Sequence, residues 1–561
     1  MKVFSSLLVL LMALSGCAGQ RPPEGGPVDT SPPVIDEFYP AADAVNFTES
    51  HITLEFNKYV DRRSVEESIF ISPFVKDVEF DWSGKEVDLS FVQPLRKNTT
   101  YVVTVGTDVV DLNNHNRMAH AFSLAFSTGA QIDRGEIRGR LYDEKPSGVM
   151  IFAYRLDGLN PDTLNPMTQK PDYITQCGTA GDYSLSHLAF GQYRVIAVRD
   201  EFRNLVYDPE ADAMSTAPND VMLNDADSLR DNLNFQLSTE DTTAPRLVDA
   251  VATDERHVDL KISENIDSSS VVANGFSLSD TAHTHRVRID DVFLHGENPT
   301  LVTLVTEPMD KDSEFVVVAA SVKDLAHHII NPLAMSKSFD RSSLPDTLPP
   351  HLVYTTVSDS SKRFALDQGF QFIFNDVLQR RRAEHALVLR GADSASVPLS
   401  FEWNSSASFT VRPLEELRPN FLYKFRVTFD SLQDRGGNHW KDSTRVYSFR
   451  TIDPDQLSSI EGRLVDSDTT LTDRYIIVAE NSSDRVKKPV QITAHRGKTF
   501  LFSQLTEGEY RLKAFQDLYG TGEYNSGRPF PFVPSERFTV LGDSIKVRAR
   551  WPVEGVLIKM K

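Results

Sequence analysis

Apolar and polar residues alternate with a period of two in several stretches of this chain. Three of the stretches share one pattern and begin at Ile52, Val258 and Phe370. Each is followed later by a second alternating stretch, led by Tyr101, Phe315 and Tyr423. Because side chains alternate between the two faces of a strand, this spacing buries one face and exposes the other. The pattern predicts strands of β-sandwiches.

Two polar motifs accompany each of these strand pairs. An Asp-Thr-x-x-Pro motif precedes the first strand, beginning at Asp29, Asp241 and Asp346. A polar turn follows the second strand, beginning at Asp111, Asp324 and Asp434. Proline favours an extended approach to a strand, while Asp, Asn and Gly supply the conformations that turns need. The chain therefore contains three copies of one module.

A second repeat lies between and after these copies. Residues 137–143 match residues 460–466, and residues 188–197 match residues 505–514 through a Leu-x-x-Gly-x-Tyr-Arg pattern. A tight turn that leads into a half-buried strand explains this pattern. The chain is thus built from five modules of two kinds.

The first kind of module resembles the SbsA-type bacterial Ig-like domain. The resemblance rests on the Asp-x-x-Pro-Pro motif, the Phe-Asn strand end, Trp82 and Trp403, the aromatic strand and the polar turn. The module that begins at Asp241 lacks the Trp and has Ser263 in place of the Asn. The second kind resembles the transthyretin-like, carboxypeptidase-regulatory-like domain. Both resemblances imply β-sandwiches, and the Ig-like one implies a structural or adhesive role without catalytic residues.

We therefore predict an all-β chain, a tandem array of five β-sandwich modules behind a lipoprotein signal peptide. The predicted segments are a signal peptide (1–16), a lipidated Cys with a flexible tether (17–30), Ig-like module 1 (31–130), transthyretin-like module 2 (134–240), Ig-like modules 3 (241–344) and 4 (346–453), and transthyretin-like module 5 (458–561).

The N-terminus indicates where the protein is located. Lys2 precedes an apolar run from Val3 to Leu14, which has the length of a signal peptide rather than of a resident membrane helix. The run ends in Leu-Ser-Gly-Cys17, which resembles a bacterial lipobox. The resemblance implies that Cys17 carries lipid such as palmitate, and that Ala18 after it favours the outer membrane. Several acyl chains hold a protein firmly at a bilayer.

Composition narrows the possible partners. The chain has 561 residues, with 59 Lys and Arg against 79 Asp and Glu, which gives a net charge of −20. An acidic surface repels phosphate backbones, so we expect no nucleic-acid partner. Two cysteines cannot build a disulfide framework, and Cys177 is expected to be a half-buried strand thiol once Cys17 is acylated.

Candidate chemistry is sparse in this sequence. The common nucleophile, metalloprotease and dinucleotide motifs are absent, so we expect no enzymatic activity and no cofactor. Weak calcium candidates are Asp108 and Asp111 in one loop and Asp430 and Asp434 in the related loop. Asp also caps turns for local reasons, which leaves both interpretations open. The basic run Arg380–Arg382 is expected to lie in a solvated loop.

These features predict a non-enzymatic, lipid-anchored protein of the cell envelope. It would act as a multi-domain spacer, scaffold or adhesion-type array at the outer membrane. Its expected partners are the membrane, through the lipid, and an envelope protein or glycan. The alternative is a glycan-binding accessory lipoprotein of an outer-membrane polysaccharide system.

Overall fold

The computed structural model describes residues 27–309, 314–366, 369–441, 443–483 and 488–560. The chain divides into two compact units, one of residues 1–239 with 525–535 and one of residues 240–524 with 536–561. The described residues form ten β-sheets and only short helices. The predicted all-β, multi-domain fold is therefore confirmed. The predicted signal peptide and Cys17 lie outside the described residues.

Module 1 contains two facing antiparallel sheets, of order β1-β2-β5-β4 and β3-β6-β7. Its elements are β1 (Ile35–Tyr39), β2 (His51–Phe56), α1 (Arg62–Glu66), β3 (Ile69–Ser72), β4 (Val78–Ser83), β5 (Glu86–Phe91), β6 (Thr100–Val105) and β7 (Phe122–Ser127). Strand β2 alternates half-buried and buried residues along its length, as the period-two pattern predicts. Its buried side chains Leu54 and Phe56 pack in the core with Leu124.

Module 2 completes the first unit. Its strands are β8 (Gly135–Arg140), β9 (Met150–Arg155), β10 (Tyr173–Gln176), β11 (Asp182–Leu188), β12 (Gly191–Arg199), β13 (Ala213–Thr216), β14 (Val221–Leu223), β15 (Leu229–Arg230) and β16 (Ser238–Thr239), with a 3-10 turn at Pro161–Thr163. Residues 525–535 pack against this module, where the Thr216 amide donates to the Ser526 carbonyl at 2.9 Å.

Module 3 has two four-stranded sheets, of order β17-β18-β22-β21 and β20-β19-β23-β24. Its elements are β17 (Leu247–Ala252), β18 (His257–Ile262), 3-10 turns at Ser268–Ser270 and Ala273–Gly275, β19 (Phe276–Asp280), β20 (Arg286–Val287), β21 (Ile289–Leu294), β22 (Leu301–Thr306), β23 (Glu314–Ala319), a 3-10 turn at Pro332–Ala334 and β24 (Ser336–Asp340). Its core includes Leu260, Leu304 and Phe315.

Module 4 pairs a four-stranded sheet, β25-β27-β31-β30, with a five-stranded one, β26-β33-β32-β28-β29. Its elements are β25 (Leu352–Thr355), β26 (Ser361–Phe364), β27 (Phe370–Phe374), α2 (Arg380–Ala386), β28 (Leu387–Gly391), β29 (Ser396–Val397), β30 (Leu399–Ser405), β31 (Ser408–Pro413), β32 (Leu422–Thr428), a 3-10 turn at Phe429–Ser431, β33 (Thr444–Thr451) and a 3-10 turn at Pro454–Gln456. Phenylalanines dominate its core, and Phe370, Phe372 and Phe425 pack ring against ring.

Module 5 repeats the strand order of module 2. Its strands are β34 (Leu457–Val465), β35 (Arg474–Asn481), β36 (Val490–His495), β37 (Thr499–Thr506), β38 (Gly508–Gln516), β39 (Phe538–Val540), β40 (Ile545–Val547) and β41 (Val553–Lys559). Strand β38 pairs with β35, β39 and β40, as β12 pairs with β9, β13 and β14. Both modules also add a parallel strand, β15 on β8 and β41 on β34. The sequence repeat is therefore a structural repeat, while its transthyretin-like class stays a prediction.

The sequence prediction for the basic run is wrong. Arg380–Arg382 does not lie in a loop but begins helix α2, whose Ala383 and Ala386 side chains are buried. Helix α1 stands at the equivalent place in module 1 and buries Val65. Packing of one small apolar face on the sandwich fixes these short helices. No helix among the described residues is both long and apolar enough to span a membrane.

Candidate functional site

In modules 1, 3 and 4 the polar turn meets the end of the first alternating strand. Antiparallel bridges join Val60 to Asp111, Ile266 to Asp324 and Leu378 to Asp434. The residues two positions before these bridged partners are Lys58, Glu264 and Asp376. The Asp of the Asp-Thr-x-x-Pro motif reaches the same place. We call this group of turn Asp, motif Asp and the residue at position 58, 264 or 376 the carboxylate corner.

In module 1 the carboxylate corner contains its own cation. The Lys58 ammonium lies 2.8 Å from Asp29 Oδ2, 2.7 Å from the Ser31 carbonyl and 3.5 Å from Asp111 Oδ2. Hydrogen bonds from Lys58 and Ser31 hold the pKa of Asp29 far below its usual range. The hydrogen bond to Asp29 raises the pKa of Lys58. The amino group therefore lies within reach of both carboxylates and offsets part of their charge.

The turn carboxylate of module 1 is fully provided with donors. Asp111 is buried, and its oxygens accept from the Asn114 amide at 2.7 Å and from Asn116 Nδ2 at 2.7 Å. Burial alone would raise the pKa of Asp111, but these hydrogen bonds and the charge of Lys58 lower it. Asn116 Nδ2 also donates to the Asp29 carbonyl at 2.9 Å, which ties the motif to the turn.

In module 3 a histidine contacts the turn carboxylate, as a lysine does in module 1. Asp324 is buried and accepts from the His328 amide at 2.8 Å, and its other oxygen lies 3.0 Å from His328 Nδ1. One oxygen or nitrogen from each of Asp241, Asp324 and His328 lies within 4.8 Å of the others. Glu264 stands where module 1 has Lys58, and burial together with the Asp241 and Asp324 charges raises its pKa.

In module 4 the basic group comes from the preceding module. His257 Nδ1 lies 2.8 Å from Asp254 Oδ2, and Nε2 lies 3.2 Å from Asp376 Oδ1. Burial disfavours the charged ring, but hydrogen bonds to these two carboxylates outweigh it and raise the pKa of His257 to about 10. Burial also raises the pKa of Asp346 to about 6, helped by nearby carboxylates and opposed by His257.

The calcium candidates have three kinds of surroundings. Asp108 pairs with Arg117 and lies 3.6 Å from Arg203, so two guanidinium groups already face it. Asp430 is exposed and accepts from the neighbouring Ser431 hydroxyl at 3.2 Å. Asp111 and Asp434 are the turn residues of carboxylate corners. The structure thus shows charged partners, such as Arg203 beside Asp108 and Lys58 beside Asp111, that local sequence does not show.

Sequence reasoning missed the other half of each corner. The sequence pattern presents Asp29, Asp241 and Asp346 only as the beginning of a stiff approach to a strand. Yet Asn438 Nδ2 donates to Asp346 Oδ1 at 2.9 Å across 92 positions. The Asp that begins the motif in all three copies was the available signal.

The recurrent tryptophans are packing residues. Trp82 Nε1 donates to Glu66 Oε1 at 3.0 Å, and Trp403 Nε1 donates to Glu384 Oε1 at 3.2 Å. Each ring packs against its module core. Each also lies under an arginine of the short helix, with a guanidinium carbon 5.3 Å from the ring centre. Trp551 differs, since it is 73% exposed.

The prediction of a half-buried strand thiol at Cys177 is wrong, because Cys177 directly follows strand β10 and lies in the core of module 2. It is fully buried, and burial strongly raises the pKa of its thiol. A thiol in this state is a poor nucleophile, because the thiolate is the reactive form.

Comparison with known families bears on two modules. Residues 29–128 and 346–451 match the family described as the bacterial Ig-like domain, Big_5. The Ig-like fold predicted for modules 1 and 4 is therefore confirmed. No curated protein sequence matches the chain.

Solved structures share only a distant likeness. The N-terminal part of the bacterial S-layer protein SbsC is 10% identical over 37% of this chain and 44% of that one, with a TM-score of 0.17. SbsC domains 1–6 are 10% identical over 94% and 68%, with a TM-score of 0.18. L,D-transpeptidase 3 from Mycobacterium tuberculosis is 11% identical over 20% and 41%, with a TM-score of 0.14. The chain thus spans less than half of the first and third structures, and TM-scores this low carry no argument about function.

Proposed function

We propose that this chain is a non-enzymatic protein of the bacterial cell envelope, anchored by lipid at Cys17, whose five modules act as a spacer or scaffold. The observation that carries the proposal is the way module 1 joins module 2 and module 3 joins module 4. Their contacts bury apolar side chains and pair charges across the boundary. Such joints keep neighbouring modules in a fixed orientation, which is what a spacer requires.

The joint between modules 1 and 2 is apolar at its centre. Val102 and Ala125 of module 1 are buried in the same cluster as Ile137 of module 2. At its edge, Arg203 Nη1 lies 3.1 Å from Glu67 Oε2. Burial of this kind opposes hinge motion because separation would expose apolar surface to water.

The joint between modules 3 and 4 has the same design. Phe293 and Val305 of module 3 are buried with Val377 and Ala407 of module 4. Near it, Arg435 Nη2 of module 4 lies 3.5 Å from an Asp291 carboxylate oxygen of module 3. Two joints of different sequence therefore share one arrangement, an apolar centre with a charged rim.

Joint stiffness can be measured by limited proteolysis of the full chain with trypsin. Arg134 lies in the link between modules 1 and 2 and is exposed. We expect native protein to resist cleavage there, and Ala125→Glu to become sensitive because it places a charge in the joint. Ser123→Glu is the control, since Ser123 is an exposed residue on the same strand. Cleavage of the wild type at Arg134 as fast as that of unfolded protein would refute the scaffold proposal.

The lipid anchor has its own test. Leu-Ser-Gly-Cys17 supports acylation, and the acidic net charge of −20 opposes adsorption to anionic lipid surfaces by the modules themselves. Labelled palmitate should enter the wild type and Cys177→Ala but not Cys17→Ala, and only Cys17→Ala should leave the membrane fraction or accumulate as unprocessed precursor. The chain has two cysteines, so these two variants together test every thiol that could carry the lipid. Equal labelling of all three proteins would refute the anchor.

The glycan-binding alternative rests on the exposed ring of Trp551 in module 5. Sugars stack on exposed aromatic faces. Full-length mature protein in detergent should give no signal on an array of envelope polysaccharides if the spacer proposal is right. Binding that Trp551→Ala removes, and that the packed Trp82→Phe keeps, would favour the alternative.

A further inference from the structure

Two exposed apolar side chains lie beside the carboxylate corner of module 1. Val60 and Asp111 form an antiparallel bridge. Tyr59 and Leu112 are therefore opposite each other, and the Leu112 amide donates to the Tyr59 carbonyl at 3.0 Å. Residues opposite each other in such a pair project to the same side. Because Val60 and Asp111 are buried, their neighbours project away from the module, and Tyr59 is 58% and Leu112 54% exposed. We call these two side chains the leading face.

In module 4 the preceding module covers the same two positions. They hold Val377 and Arg435, which are opposite each other beside the bridge from Leu378 to Asp434. Val377 is 1% exposed, because it is buried with Phe293 of module 3. Arg435 Nη2 lies 3.5 Å from a carboxylate oxygen of module 3. The leading face of module 1 thus corresponds to the surface on which module 4 receives the module before it.

The chain enters module 1 beside the leading face. Asn116, which belongs to the same turn as Leu112, donates from Nδ2 to the Asp29 carbonyl at 2.9 Å. Asp29 follows Cys17 by 12 positions. At full extension a chain spans about 3.3–3.6 Å per residue, so a bilayer that holds Cys17 lies within about 40 Å of this corner. In chain order the bilayer then takes the place before module 1 that module 3 takes before module 4.

The chemistry of the leading face suits a lipid surface. Tyrosine concentrates at the boundary between membrane and water, where its ring meets apolar and polar groups at once. The exposed residues 112–115 of the turn are Leu, Asn, Asn and His, without a carboxylate. Lys58 offsets part of the charge of Asp29 and Asp111. This end of the module therefore repels anionic headgroups less than the net charge of −20 would suggest.

The size of the leading face argues against a protein as its occupant. Stable protein interfaces bury about 800 Å² on each partner, from about 20–30 residues. Two exposed side chains beside a polar turn supply only a small part of that area. A bilayer contact needs no such area when the chain is already attached to the bilayer, because attachment raises the effective concentration of the lipid surface.

We propose that Tyr59 and Leu112 form a contact surface for the lipid bilayer that holds Cys17. The inference rests on the proposed lipid anchor. The contact would restrict the rotation of module 1 relative to the membrane, which attachment through Cys17 alone does not do. The ligand is the headgroup region of a bilayer, and the contact is made by side chains of module 1 rather than by the acyl chains.

The test places a fluorescent label on the leading face of the full-length, lipidated protein. In a Cys177→Ala background, Leu112→Cys provides one thiol for the dye NBD, since an acylated Cys17 has no free thiol. The protein is reconstituted into vesicles of phosphatidylethanolamine and phosphatidylglycerol with a nitroxide-bearing lipid, which quenches dyes at the bilayer. We expect this label to lose most of its fluorescence. Leu325→Cys is the matched control and should stay bright, because Leu325 holds the same turn position in module 3 and is 67% exposed.

A second substitution separates contact by the protein from attraction of the dye to lipid. Tyr59→Asp places a charge on the leading face, so the Leu112→Cys label should regain its fluorescence while the lipid keeps the protein on the vesicles. Tyr354→Asp is the control, at an exposed tyrosine of module 4, and should leave the quenching unchanged. Since both tyrosines are exposed, both variants should unfold at the same temperature as the unsubstituted protein.

Failure of this inference is distinguishable from failure of the anchor. Vesicle-bound protein whose Leu112→Cys label is quenched no more than the Leu325→Cys label would overturn the bilayer contact and leave the anchor intact. A Leu112→Cys label with blue-shifted emission but no quenching would show that a protein surface, such as a second copy of the chain, covers the leading face, which also overturns it. Protein that does not bind the vesicles would refute the anchor and this inference with it.

Discussion

His257 Nε2 lies 3.2 Å from Asp376 Oδ1, although His257 belongs to module 3 and Asp376 to module 4. The other ring nitrogen of His257 lies 2.8 Å from Asp254 within its own module. Both ring nitrogens therefore face carboxylates, and the ring is charged at neutral pH. Because this contact crosses the joint, the stability of the joint depends on the protonation of one histidine.

Stability of modules 3 and 4 should fall as the pH rises. The pKa of His257 rises from 6.5 unfolded to about 10 folded, so its contribution is complete below pH 6.5 and is lost as the pH rises through about 10. Asp346, with a pKa raised to about 6, adds a fall between about pH 4 and 6, because its charged form is disfavoured in the folded state.

The measurement is the free energy of unfolding from pH 4 to 10 in chelator. His257→Gln should remove the fall above pH 6.5 and cost roughly 3–5 kcal/mol at pH 6, since it leaves buried carboxylates uncompensated. His285→Gln is the control, because His285 is exposed. An unchanged pH profile for His257→Gln would contradict the assigned pairing.

Tyr101 and Tyr423 make equivalent hydrogen bonds in modules 1 and 4. Their hydroxyls accept from the backbone amides of Arg96 at 2.8 Å and Arg418 at 2.9 Å. Each Tyr→Phe substitution should cost about 1–3 kcal/mol, because it removes the acceptor of a backbone donor. Denaturant unfolding measures this. Module 3 has Phe315 at the equivalent position, which has no hydroxyl. Phe315→Leu should therefore lower the free energy of unfolding only through lost packing.

Lys58→Asp should give module 1 the charge pattern of module 4. In chelator, the unfolding temperature of module 1 should fall, since Asp29 and Asp111 lose their counter-charge. Lys85→Asp is the control, because Lys85 lies 4.0 Å from a Glu55 carboxylate oxygen, and it should lower the unfolding temperature less. An unfolding temperature unchanged by Lys58→Asp would contradict the pairing of Lys58 with Asp29 and Asp111.

The Cys177 thiol should be inert in the native protein. It is fully buried, and burial raises its pKa. A thiol reagent such as DTNB should detect no thiol in native Cys17→Ala protein and one after denaturation. Rapid reaction in the native state would show that module 2 opens locally.

The sequence alone determined the strands, the repeats and the β class of this protein. Period-two alternation at β2, β18 and β27 follows directly from which residues can face a core. The sequence also located the polar turns at Asp111 and Asp434, because Asp and Asn side chains form hydrogen bonds with the backbone of their own turn. The local pattern gave a wrong prediction where packing determines the secondary structure. A helix forms at Arg380 because Ala383 and Ala386 pack against the sandwich.

Only the tertiary structure decided the composition of the carboxylate corners. Asp346 meets Asn438 across 92 positions, and His257 meets Asp376 across 119. Closing a sandwich and docking one module on the next bring these residues together, and no local periodicity records such long-range contacts. Equivalent positions hold Lys58, Glu264 and Asp376. Only the tertiary structure shows which carboxylates each of these charges affects, because a charge acts on its neighbours in space and not along the chain.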